Sequence, residues 1–128
     1  MIQANSATGG GPNPSPTLQF FGAPVSVTVT SATQRVLVVA SSAFGTSAAP
    51  AGTLNLFICY RQPPGPVTSA GNGILGLQLP ASTKTMMGLN KVLDLAAGQY
   101  IVGMCGTGGV GWSNNDYGTT SALVFTQS

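Results

Sequence analysis

The chain has 128 residues, enough for one domain built on a single core. Only 5% of them are charged, against about 25% in ordinary soluble domains; histidine and glutamate are absent, and the net charge of +2 is four scattered cations (Arg35, Arg61, Lys84, Lys91) against Asp94 and Asp116. That inventory excludes imidazole-dependent catalysis and leaves no basic patch for a nucleic-acid backbone.

Residues 1–17 read as a Gly/Pro-rich arm. Met1-Ile2-Gln3-Ala4-Asn5 has neither the cationic nor the apolar stretch of a secretion signal. The run Gly9-Gly10-Gly11-Pro12-Asn13-Pro14-Ser15-Pro16 is made of backbone breakers. An arm of this composition stays ordered when something ties it down, so it is expected to lie against the body or a neighbouring subunit.

Residues 18–128 read as a β-sandwich domain. Val25, Val27 and Val29 alternate with Ser26, Thr28 and Thr30, the period of a half-buried strand. Arg35 to Ala40 is apolar at both parities and reads as a more fully buried strand, followed by a long loop from Ser41 to Gly52. Leu54 to Arg61 carries large side chains on both faces, and Pro63-Pro64-Gly65-Pro66 ends it. Ile74 to Leu79 forms a further strand closed by Pro80. In Met86 to Ala97, Met86, Leu89 and Leu93 also fit helical spacing; the segment is read as a strand. Gln99 to Cys105 and Ser121 to Thr126 complete about eight strands. Short strands, many turns and no long amphipathic pattern point to an all-β antiparallel jelly-roll sandwich. Apolar runs such as Val36 to Ala40 are far shorter than the ~20 residues of a membrane-spanning helix, so no membrane insertion is expected.

The residues that could carry chemistry are few. Asp94 and Asp116 are the only carboxylates, and an acid–base pair would require both in one cleft. Ser82-Thr83-Lys84 places a hydroxyl near an amine without the desolvation or oxyanion donors a nucleophile needs. Two thiols and two carboxylates, far apart in sequence, fall short of a metal's ligand set. Gly106-Thr107-Gly108-Gly109-Val110-Gly111 matches a dinucleotide fingerprint in letters, but the turn-forming Trp112-Ser113-Asn114-Asn115 follows where a helix must begin. No catalytic residue, cofactor or metal is therefore expected. Cys59 and Cys105 sit on two strong strands. They form a disulfide if those strands pair and two buried thiols otherwise. Trp112, Asn114, Asn115, Asp116 and Tyr117 form the one segment resembling a recognition loop, with aromatic rings to stack on a sugar and polar groups for its hydroxyls. The competing reading, which is preferred, packs Trp112 and Tyr117 over the end of the sandwich.

The segment Leu95-Ala96-Ala97-Gly98-Gln99-Tyr100-Ile101-Val102-Gly103, with the glycine-rich loop and the closing Ser121-Ala122-Leu123-Val124-Phe125, resembles the end of C1q/TNF-like jelly rolls. The resemblance covers the last third of the chain. It implies a ten-stranded jelly roll, a homotrimer with an apolar axis, and occurrence in secreted ligands, bacterial surface proteins or bacteriophage head and tail fibres.

A monomer of 12.8 kDa exposes about 6,300 Å². Six charged side chains then give about one per 1,000 Å², and so bare a surface favours association. The expected function is therefore a non-enzymatic, self-assembling structural protein. A virion subunit such as a phage capsid decoration or fibre-head protein comes first, at the virion surface among other coat proteins. A secreted or surface-displayed carbohydrate-binding module, with the 112–117 loop holding a glycan, is the alternative.

Overall fold

The computed structural model describes residues 1–127, and among them it contains ten strands and no helix. These are β1 (Gln3–Gly9), β2 (Gln19–Phe20), β3 (Val25–Val29), β4 (Gln34–Gly45), β5 (Leu54–Arg61), β6 (Thr68–Ser69), β7 (Ile74–Leu77), β8 (Lys84–Leu93), β9 (Gly98–Gly108) and β10 (Gly118–Thr126). All pairings are antiparallel. One sheet has the order β1-β10-β4-β8; in the other, β9 and β5 are central, β2 and β3 pair with β9, and β6 and β7 with β5. This is the two-sheet order of a jelly roll, as the strand rhythm leads one to expect.

The core follows from strand parity. Val36, Val38, Ala122 and Val124 from the first sheet meet Leu54, Leu56, Val102 and Met104 from the second, all essentially inaccessible. Each such Val, Leu or Met side chain contributes about 1.5–3 kcal/mol by leaving water, and Ala122 less. Phe21, Phe44 and Trp112 close one end edge to face, with ring centroids 5.4 Å and 6.3 Å apart. At Gly106 a Cβ would overlap the carbonyl oxygen of Asn55, so glycine is what lets β9 lie against β5 there.

Three elements differ from the sequence reading. β4 does not end at Ala40 but runs to Gly45: Ser42 and Phe44 continue its buried row, and β8 and β10 pair along it. A low-hydrophobicity stretch stays in the sheet because both neighbours supply backbone partners. β8 is a strand in which Met87 and Leu89 pack on the core while Met86 and Val92 face outward, so the helical spacing has no structural counterpart. Within residues 1–17, where no apolar period is present, Gln3–Gly9 forms β1 along β10 from Val124 to Gly118. An edge strand needs backbone partners on one side and little apolar surface, so its sequence carries weak pattern.

Polar side chains close both flanks of the sandwich. On one, the amide of Thr28 donates to Oε1 of Gln3 at 3.0 Å, and Asn5 donates to the carbonyl of Ser26, so β1 satisfies the free edge of β3. On the other, Nζ of Lys91 donates to the carbonyls of Ala70 at 2.7 Å and Gly71 at 3.1 Å, in the turn between β6 and β7.

Candidate functional site

The loop from 109 to 117 does not gather its polar and aromatic groups into one platform. Trp112 is 2% exposed, its ring edge-on to Phe44 and its Nε1 donating to the carbonyl of Gly52 at 3.0 Å. The ring fills the end of the core and is not available to stack on a ligand, which corrects its candidacy as a sugar platform. Asn115 is a structural clamp: Nδ2 donates to Asn13 Oδ1 at 2.8 Å and to the Trp112 carbonyl at 2.9 Å, while Oδ1 accepts from the amide of Gly45 at 3.2 Å. The exposed Asn114 donates its amide to the Gly45 carbonyl at 3.2 Å. Asp116 accepts from the amide of Tyr117 at 2.8 Å and faces Lys84 Nζ at 3.7 Å. Tyr117 is 67% exposed. A shallow groove runs beside the loop between Pro14, Pro16, Val110 and Trp112, and no titratable group lines it.

Asp94 and Asp116 occupy opposite ends of β8, one just beyond Leu93 and paired with Arg35 at 3.3 Å, the other paired with Lys84. Ten residues of strand separate these ends, about 30 Å. They share no cleft. Among the described residues no three His, Cys, Asp or Glu side chains come together. The glycine-rich segment 106–111 finishes β9 and turns into the loop with no helix after it. Cys59 and Cys105 lie on the paired strands β5 and β9, with Cα atoms 5.7 Å apart and their sulfurs bonded to each other.

The surface feature that stands out is the outer face of the β1-β10-β4-β8 sheet. Strand register aligns Ala4, Leu123, Leu37 and Val92 in one row across all four strands. Phe125 flanks this row on one side and Val39 on the other. Val39 is 48% and Val92 51% exposed. The charged groups frame this face: Arg35–Asp94 stands at one end and Lys84–Asp116 at the other, so four of the chain's six charges form two neutral pairs at its rim. Ser6, Ser121 and Asn90 stand in the row of Val39, and Thr8, Thr119 and Ser41 in the row beyond it, so an apolar strip with polar rows beside it crosses the face, the mixed anatomy of an association surface.

Sequence reasoning passed over this face although its signal was present. Val36-Leu37-Val38-Val39 and Ala122-Leu123-Val124-Phe125 are apolar at both parities, and a central strand of a two-layer sandwich needs that on one side alone. In this chain the inner parity is covered and the outer is not.

No protein-family model matches the sequence, and no curated protein matches it. Among solved structures, the fold is similar to that of a chain in the structure of infectious bursal disease virus strain Gx, with a TM-score of 0.50 and 14% identity over 97% of this chain and 32% of that one. A chain in the structure of infectious bursal disease virus strain Gt matches with a TM-score of 0.45 and 12% identity over 98% of this chain and 34% of that one. The chain therefore spans about a third of the length of these viral chains, and the likeness is one of β-sandwich fold.

Proposed function

We propose that this chain is a non-enzymatic structural subunit that assembles with copies of itself as part of a virus particle, in the manner of a capsid decoration or fibre-head protein of a bacteriophage. The observation that carries the reading is the uncovered outer parity of β4 and β10, on a surface of 6240 Å² that carries six charged side chains. Such a surface is hydrated poorly alone and is covered readily by a sister chain. A β-sandwich similar to part of a chain in a virus particle supports placement in a virion. The C1q/TNF-like pattern keeps its structural sense: Leu95 and Tyr100 are buried, and the Tyr100 hydroxyl donates to the Ala96 carbonyl at 2.8 Å, pinning the entry to β9. The strand order is shared by jelly rolls at large and does not distinguish that family from the others. Its homotrimeric habit is what that resemblance implies, whereas the exposed outer face of the sheet favours a pair of chains.

The test is the mass of the purified chain in solution by light scattering, followed by antibody-gold labelling of particles from the source. Multimers in solution and label on particle surfaces are expected. A 12.8 kDa species that stays monomeric at high concentration would overturn the reading.

A further inference from the structure

Resting on that reading, we propose that the outer face of the β1-β10-β4-β8 sheet is the self-association surface and that it packs face to face on the same face of a second copy, giving an isologous pair. Three observations converge on a sister chain as the occupant.

First, among the described residues the face carries no unpaired charged side chain: its border pairs, Arg35–Asp94 and Lys84–Asp116, are each neutral. A like face approaching it meets no net repulsion, whereas a strongly charged partner gains nothing.

Second, the size is right. Up to nine paired rows at ~3.4 Å and four strands at ~4.8 Å give about 600 Å² in projection for the whole sheet face, polar rows included. A standard stable interface covers about 800 Å² of accessible surface per partner, so a pair would use this whole face, with Leu37, Val39, Val92, Leu123 and Phe125 as its apolar part and the polar members of the Ser121 and Thr119 rows as its polar part.

Third, the patch finds its best complement in itself. A heterologous contact would need a second apolar surface of similar extent elsewhere on the subunit. Among the described residues, the other large exposed apolar side chains in the body are dispersed: Ile74 and Leu75 on β7, Val110 and Tyr117 in the β9–β10 loop. Two sheets stacked on these faces would sit about 10 Å apart, and the outer parity of β4 and β10 would become as covered as the inner one.

The experiment is light scattering on the wild type, Val39→Glu and Val110→Glu, with thermal melts to show that each variant folds. Even-numbered assembly is expected for the wild type and for Val110→Glu. Val39→Glu is expected to run as the 12.8 kDa monomer at the wild-type melting temperature within a few degrees. A folded Val39→Glu that still assembles overturns the assignment of the face and leaves the structural-subunit reading standing. A monomeric wild type overturns both, and a three-chain wild type overturns the pairing. Should Val39→Glu fail to fold, Val39→Cys treated with a short bis-maleimide decides: cross-linked dimers are expected at the face centre, and their absence overturns the proposal.

Discussion

The backbone amide of Thr28 on the free edge of β3 is held by the side-chain oxygen of Gln3 on β1, 3.0 Å away and on the opposite sheet. A polar side chain from the start of the chain thus joins the two layers along a flank where no backbone ladder can form. Replacing Gln3 by Ala leaves that amide without its protein partner. A loss of about 1 kcal/mol is expected, seen as a fall of about 4 °C in the thermal midpoint. Removal of residues 1–9 takes away all of β1 and should cost several times more, exposing the edge of β10. A truncated chain melting with the full-length one would show that β1 contributes nothing to the folded state.

Lys91 has the corresponding position on the other flank. Its ammonium donates to the carbonyls of Ala70 and Gly71, and among the described residues it reaches no carboxylate. Lys91→Met keeps the stem and deletes both hydrogen bonds, at an expected cost of about 1–2 kcal/mol for a partly exposed site. Amide hydrogen exchange should quicken in the β6–β7 segment before any other part of the sandwich. Uniform quickening across the sheets would mean that Lys91 does not act as a local tie.

Trp112 and Tyr117 separate a structural loop from a glycan site. Trp112→Ala removes a buried ring and its bond to Gly52, with an expected loss of about 3–5 kcal/mol. Tyr117→Ala should stay within about 0.5 kcal/mol of wild type, since its ring is in solvent. Glycan-array binding by the wild type that Tyr117→Ala abolished at unchanged stability would revive a carbohydrate-binding role for the exposed half of the loop.

The Cys59–Cys105 bond closes 46 residues of sequence and staples the two central strands of the second sheet. On the loop-closure account, reduction should lower stability by about 4 kcal/mol. Denaturation without reductant should yield no titratable thiol, and two should appear after reduction. Two thiols found before reduction would show a pair of buried free cysteines instead.

Much of the architecture was legible in the residues. Alternating Val25, Val27 and Val29 came directly from period two, because one face of β3 packs and the other does not, and the bounds of β5 from large side chains on both faces ended by Pro63-Pro64. The second half of β4 and the first residues of β10 were harder. Ser41, Ser42 and Thr119 have little strand signal of their own and are held by neighbours distant in sequence. The site was less legible still. Trp112 near amides and a carboxylate is the same string of letters whether its ring faces water or the core, and the position of Phe44 decides that.

The sequence alone determined that this is a charge-poor β-protein with no imidazole chemistry, since these depend on which groups exist and on the period of apolar residues. Which apolar parity of β4 and β10 is covered, that four charges gather as two pairs around one face, and that Gln3 and Lys91 close opposite flanks were decided by tertiary structure. The reason is physical: period two assigns a side chain to one of two faces, but only the packing of the second sheet says which face loses its water.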